Sequence, residues 1–351
     1  MKHYIVCKDK NRYFAFPDIS EVSDGLYAVV FRDAPHRTRG HTHIDPDSTV
    51  AVITSDKLTG WDAEKKLTIP HTRGAGQLPS VIATGDGGAL LLDFRWKVSN
   101  RLRGEGVYLI DNYNWRARFD STYAIRLRWK QKRFISGKPL TIAPQGWKNT
   151  AGSSRALILP DGCILYPVDA EYPGTGMWAV LILCSLDNGA TWSVHSRVAA
   201  GPVPGVERLC EPSIVRTASG KMLCLMRALS EEDHLYQCKS ADGGKSWTMP
   251  QKTPIKGHPP CLLRLRDGRL LALYGYRHPP YGIRACVSED NGKSWDIGGE
   301  IVIRGDGAGA DIGYPRGMEL ADGRIAAVYY FQKKDRIRYI ALSVFNFDYS
   351  V

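Results

Sequence analysis

The chain has no apolar run approaching the roughly 18 to 20 residues of a membrane helix, so no helical membrane span is expected. Nowhere does a 3.6-residue apolar period persist over about 12 residues, so helix is expected to be scarce. None of the eight cysteines forms Cys-x-x-Cys or stands at zinc-like spacing from a histidine. Most sit inside apolar runs, as Cys224 does in KMLCLM, and read as buried thiols of a reducing compartment. A polybasic block is also missing, although 47 Lys and Arg against 36 Asp and Glu give a net charge of +11. Nucleic-acid binders concentrate their cations on one element, so nucleic acid is not an expected partner. A diffuse positive field suits an anionic small molecule instead. MKHYIVCKDKNRYFAF lacks the apolar core of a secretory leader, and with the starting Met it points to a cytoplasmic location, the alternative being a processed secreted chain.

What the chain has in excess is repeated turn chemistry. SEDNGKSW (Ser288–Trp295) has near copies in SLDNGATW (Ser185–Trp192) and SADGGKSW (Ser240–Trp247). Weaker relics are TSDKLTGW (Thr54–Trp61) and SVFNFDYS (Ser343–Ser350). A second repeat places a glycine turn before an apolar run at Gly25, Gly87, Gly162, Gly220, Gly268 and Gly323. An Asp-Gly pair before such a run marks a hairpin entering a strand. A third element precedes five of these turns: AFPDISEV, QLPSVIAT, CEPSIVRT, HPPCLLRL and GYPRGMEL; the sixth, SSRALILP, lacks the early proline.

Each unit therefore reads as two strands around an Asp-Gly hairpin, a third strand, a box turn and a fourth strand. Four strands per roughly 50 residues, repeated six times, predict an all-β, six-bladed β-propeller with four-stranded antiparallel blades, residues 1–351 forming one domain. The box serves architecture: its Asp binds backbone N–H groups of its own turn, its Gly supplies positive φ, and its Trp packs between sheets. In such a ring the innermost strands line a channel, and the residues that begin them converge. Those entries hold Ala15-Phe16, Gln77-Leu78, Ser153-Ser154-Arg155, Glu211, His258 and Tyr314, a set able to form an active site.

Ser-x-Asp-x-Gly-x-Ser/Thr-Trp resembles the Asp-box of the sialidase superfamily, and the resemblance sharpens in the last three blades. CEPSIVRTASGKMLCLMR resembles the segment with the family's Glu and an Arg, here Glu211 and Arg227. YGIRACVSEDNGKSW resembles the segment whose Arg precedes a box, here Arg284, and DIGYPRGMELADGRIAAVYY the one with the catalytic Tyr, here Tyr314. The resemblance implies an exo-glycosidase acting on a terminal acidic sugar of a glycan, with no cofactor or metal. Tyr314 attacks, Glu211 takes its proton, and Arg227 with Arg284 hold the substrate carboxylate. A neutral phenol suits a carboxylate-bearing anomeric carbon, which would repel an anionic nucleophile.

Two features depart from the family pattern. Its first blade opens Arg-Ile-Pro where this chain has Ala15-Phe16-Pro17, so the first carboxylate-binding Arg is missing, with Arg32, Arg95 or Arg155 as substitutes. The loop FRDAPHRTRGHTHIDPDSTV holds the acid/base candidates. Asp45 is expected by position, with His43 as competitor because imidazole titrates near neutrality. His41, His43 and Asp45 are also a possible metal set by their alternate spacing. His258 and Arg155 complete the substrate-facing set. The segment KVSNRLRGEGVYLIDNYNWRARFDSTYAIRLRWK is inserted material in which Trp96, Trp115 and Tyr123 are candidates for sugar stacking or for burial between blades. Two other readings remain: a uronic-acid-directed hydrolase or lyase of the same superfamily using His43 or His258, and a non-catalytic carbohydrate-binding propeller.

Overall fold

The computed structural model describes residues 1–351 except 39–42, 70–71, 73–76, 85, 105–106, 111–112, 131–132, 173–176, 200–202 and 348–351. Among the described residues the one complete helical element is a 3₁₀ turn, Ala63–Lys65; the rest is strand and turn. Six antiparallel sheets follow one another around a ring. From the channel outward, blade 1 is Arg12–Ser23, Leu26–Pro35, Thr49–Ser55 and Leu67–Thr68. Blade 2 is Ser80–Ala83, Gly88–Val98, Trp115–Lys130 and Arg133–Ser136. In blade 3, Lys148–Ala151 and Leu157–Ile158 share the inner place, followed by Ile164–Glu171, Trp178–Ser185 and Ser193–Ala199. Blade 4 is Arg208–Arg216, Met222–Leu229, His234–Ser240 and Gln251–Lys256, and blade 5 is Pro260–Arg264, Leu270–Tyr276, Gly282–Ser288 and Asp296–Arg304. Blade 6 takes three strands from the end of the chain, Gly313–Glu319, Ile325–Phe331 and Tyr339–Phe345, and its outermost strand, Lys2–Cys7, from the beginning. The expected sheets are therefore present, but the chain closes its own ring by a pairing the repeat pattern does not reveal.

The second strands are continuously apolar because both of their faces are buried, and successive side chains alternate between two neighbours. In blade 5, Leu270, Ala272 and Tyr274 join a cluster with blade 4, while Leu271 and Leu273 join one with blade 6. Six such clusters occupy the six seams. Seven cysteines are buried and Cys184 is half-buried, and all but Cys210 belong to these seam clusters.

The boxes fasten this arrangement. Asp290 accepts from the backbone N–H of Lys293 and Ser294, each at 2.9 Å, and from the hydroxyls of Ser288 and Ser294. Trp295 is 6% exposed and donates to Gln237 of blade 4 at 3.2 Å. Gly292 has φ +79°, and a Cβ there would lie 2.6 Å from Leu223 of the neighbouring blade, so glycine is required. The relic Thr54–Trp61 keeps one box contact, the Trp61 indole donating to Leu58 O at 2.9 Å. Of SVFNFDYS, Ser343–Phe345 belong to a strand and residues 348–350 lie outside the described residues. Box turns and Asp-Gly hairpins share one end of the ring, as the pairing of Leu270 with Ser288 shows. The strand entries with Glu211 and Tyr314 lie at the other end.

Candidate active site

Three inner strands enter the ring through the same local irregularity. The pairing slips between Ala15 and Asp18, between Cys210 and Ser213, and between Gly313 and Arg316. Inside each slip stands a residue followed by proline, which has no N–H to give to the ladder. These residues are Phe16, Glu211 and Tyr314, with φ of 54°, 49° and 49°. A left-handed backbone at a non-glycine residue costs on the order of 1–3 kcal/mol, and it clusters at functional sites. The bulge turns each side chain from the sheet toward the channel rim. Glu211 is fixed by its own N–H, which donates to the buried carboxylate of Asp169 at 3.1 Å. Burial pushes the Asp169 carboxyl up to about 7 against the pull of Arg208.

At the rim the Tyr314 hydroxyl donates to Glu211 Oε1, and Arg227 donates to Glu211 Oε2 at 3.0 Å. Burial alone would raise the Glu211 carboxyl; the Arg227 charge and the Tyr314 hydrogen bond reverse this and hold it at about 2. Burial and the Glu211 charge push the Tyr314 phenol well above its ordinary value of 10, against the pull of Arg227 and Arg277. The pair thus rests as a neutral phenol donating to a carboxylate. Because the Glu211 value lies below its ordinary 4.5, its ionisation contributes stability that is complete above about 4.5 and lost as pH falls toward about 2. Replacing Glu211 by Gln is expected to flatten this part of the acid limb, seen as a smaller difference in urea midpoint between pH 5 and pH 3.

Arg277, just past the second strand of blade 5, completes the rim. Its guanidinium lies 5.5 Å from the Tyr314 ring centroid, and its Nε donates to Ile312 O at 3.0 Å. Arg284, the residue expected there from sequence, instead pairs with Glu300 and covers the Tyr276 ring at 3.3 Å. The sequence did carry a signal: Arg277 in YGYRHPP ends its blade's second strand much as Arg227 does in blade 4.

Across the rim, Asp311 gathers donors. It accepts from Tyr13 and Tyr330 at 3.0 Å and from Arg338 at 2.9 Å, and it shares a contact of 3.2 Å with His43 Nε2. Burial opposes its ionisation, but His43 and Arg338 hold its carboxyl well below the usual carboxylate range. The His43 ring meets Phe16 edge-on at 5.0 Å, and Phe16 meets Tyr314 edge-on at 4.7 Å. Phe16 therefore links His43 to Tyr314. Asp45 is not: it is 3% exposed, clamped by Arg37 with two bonds of 2.8 Å, and accepts from Asp47 N at 2.8 Å. His41 and Arg39 lie outside the described residues.

On the blade 4 and 5 side, Asp233 bridges His258 Nδ1 and His278 Nε2, the latter at 2.9 Å. Burial and the charges of Arg227 and Arg277 lower the His258 imidazole against the Asp233 hydrogen bond. His258, Asp233 and Arg227 line a cleft of about 880 Å³ that runs to Glu207. Beyond Glu207 an aromatic cleft of about 790 Å³ holds Trp96, Tyr108, Phe119 and Trp178. Trp96 stacks on Phe119 at 4.0 Å, and Arg208 covers Trp178 at 4.6 Å. Tyr123 is buried and donates to Asp93 at 2.9 Å, and Trp115 stacks on Tyr113 at 4.5 Å. The other expected arginines have partners of their own. Arg32 is buried beneath the Tyr13 ring at 5.4 Å, Arg95 covers Tyr123 at 4.7 Å, and Arg155 pairs with Asp18. Among the described residues no group of three or more metal-ligating side chains is gathered.

A family model of the BNR repeat-like domain matches residues 45–327. Among curated proteins none matches the chain. A protein of unknown function from Dyadobacter fermentans DSM 18053 is 28% identical, with 98% of this chain and 97% of that one covered and a TM-score of 0.85. A Hadza microbial sialidase is 14% identical, over 95% of this chain and 66% of that one, at a TM-score of 0.68. Trypanosoma rangeli sialidase in complex with the inhibitor DANA is 17% identical, over 94% of this chain and 55% of that one, at 0.64. This chain thus spans between half and two thirds of those two sialidases, and at such identities the likeness is one of fold. With the family model covering more than half of its length, the chain belongs to the BNR repeat-like family.

Proposed function

We propose that the protein is a retaining exo-glycosidase of the sialidase type, removing a terminal acidic sugar from a glycan. The observation that carries this reading is the Tyr314 phenol donating to an ionised Glu211 that Arg227 holds by its other oxygen. In the first step the Tyr314 oxygen bonds to the anomeric carbon, its proton passes to Glu211, and the bond to the leaving oxygen breaks. The leaving oxygen needs a proton. His43 is the acid that reaches the Phe16 and Tyr314 side, with Asp311 beside it as its carboxylate partner. Water activated by the same imidazole then cleaves the glycosyl-tyrosine, and Glu211 returns the proton to the phenolate.

The substrate carboxylate falls to Arg227 and Arg277, the two guanidinium groups whose charges act on the Tyr314 phenol, whereas Arg284 covers Tyr276 and pairs with Glu300. Replacing Arg277 by Ala is expected to raise KM for an anionic glycoside by about 10- to 100-fold, the range of a charge-assisted contact. Steady-state kinetics on a fluorogenic sialoside measure this, and an unchanged KM removes Arg277 from recognition. The function itself is tested by trapping: a fluorinated sialic acid that halts after the first step should add its mass to the peptide containing Tyr314.

A second reading, a uronic-acid-directed enzyme, is favoured by one observation. Ala15 stands where the family's first arginine is expected, and its neighbour Phe16 covers Tyr314 with hydrocarbon. Uronide analogues in the same assay decide between the two. An unsaturated product absorbing in the ultraviolet identifies a lyase, whereas a reducing sugar without it identifies a hydrolase.

A further inference from the structure

The channel has a second mouth, at the end of the ring where the hairpins turn. There a cavity of about 350 Å³ opens between the inner strands of blades 3, 4, 5 and 6. Its walls are largely hydrocarbon, from residues such as Leu157, Ile214 and Leu262. Four arginines share it: Arg155, Arg216, Arg264 and Arg316. Among the described residues no carboxylate lines it.

These arginines differ in how they are balanced. Arg155 pairs with the fully buried Asp18. Arg316 is only 6% exposed, and its bonds go to backbone carbonyls, to Pro260 O and Pro315 O at 3.3 Å and to Ser153 O at 2.7 Å. Asp169 is one step removed, bonded to the Ser153 hydroxyl at 3.3 Å. Arg216 and Arg264 are exposed at the mouth. In the surrounding turns Asp267 pairs with Arg269 and Asp322 with Arg324, while Glu319, Glu21 and Asp161 accept from the backbone N–H groups of Arg266, Gly25 and Cys163. Among the described residues, then, Arg216, Arg264 and Arg316 make no ion pair.

A buried cation without a counter-charge is unfavourable, and the three unpaired guanidinium groups around one apolar cavity repel one another. An anion from solution relieves both terms. At about 30 Å³ per water-sized group the cavity has room for about ten such groups, with positive charge at its deep end and at its mouth. We propose that this cavity binds a small organic dianion, a phosphate ester or a dicarboxylate, separately from the glycan pocket. Guanidinium groups recognise both acids bidentately, and the hydrocarbon walls take the body between the charges.

Isothermal titration at low ionic strength tests this, with phenyl phosphate, inorganic phosphate and succinate as probes. Three proteins are compared: wild type, the double variant Arg216→Gln/Arg264→Gln, and Arg227→Gln at the opposite rim. At least one dianion is expected to bind the wild type at a single site, and added salt should weaken it. The double variant, altered only at exposed positions, is expected to bind at least tenfold more weakly with an unchanged melting temperature, while Arg227→Gln binds as wild type does. Phenyl phosphate alone, or succinate alone, identifies which acid the site takes. The proposal is overturned if no probe saturates, if the double variant binds as tightly as wild type, or if Arg227→Gln abolishes binding. None of these results depends on glycosidase activity.

Discussion

Tyr314→Phe is expected to lower turnover of an acidic glycoside by about 10⁴-fold or more while substrate binding survives, the scale seen when a nucleophile is removed. The substitution deletes one oxygen. The ring remains edge-on to Phe16 and tilted against Tyr330, whose centroid lies at 6.2 Å, so the packing at the rim is kept. Glu211 loses the phenol but keeps Arg227 and the Asp169 anchor, so the base stays in place. Comparing kcat with inhibitor affinity separates a lost reaction from a lost pocket. Glu211→Gln should cost less, about 10²- to 10⁴-fold, because a base assists the nucleophile rather than supplying it. Full turnover in Tyr314→Phe would exclude a tyrosine nucleophile and leave the His43–Asp311 pair to carry a different chemistry.

Deleting Lys2–Cys7 is expected to abolish cooperative folding. This strand pairs antiparallel with Tyr339–Phe345, and it brings Val6 at 1% and Cys7 at 3% exposure into the seam between blades 6 and 1. Burying a residue such as Val6 contributes about 1.5–3 kcal/mol, and each backbone hydrogen bond about 1 kcal/mol net. Together the strand contributes roughly 5–8 kcal/mol, comparable with the 5–15 kcal/mol total of a typical domain. Its loss also leaves Tyr339–Phe345 as an unpaired, apolar edge, a surface prone to association. Urea denaturation followed by tryptophan fluorescence reads this directly. A single sharp transition near the wild-type midpoint would show that the ring closes without the strand.

Fold and site were legible to different depths. The Asp-Gly hairpins and the boxes are local chemistry: Asp290 binds N–H groups three and four residues on, so its role is written in eight consecutive residues. The glycines of those turns mark positive φ in the same way. Ring closure by Lys2–Cys7 is not local, since its partner strand lies at the far end of the chain. At the site, the resemblance pointed to Glu211, Arg227 and Tyr314, which the fold does bring together. It also pointed to Arg284 and, by position and against His43, to Asp45; the fold pairs these with Glu300 and Arg37. A strand sends alternate side chains to opposite faces, and the pairing of Tyr274 with Arg284 puts this arginine over Tyr276 and Glu300. Asp311 carried no signal at all, because its donors come from blade 1, from blade 6 and from the loop holding His43.

By itself, then, the sequence determined what depends on neighbours along the chain: the six turns, the boxes, the strand order and the proline-marked entries. Only the tertiary structure decided which arginine lies beside Tyr314, which imidazole meets Phe16 next to it, how the ring closes, and that arginines gather at the channel's second mouth. Those outcomes depend on register and on strands far apart in sequence. A one-residue change in register sends a side chain to the opposite face of its blade.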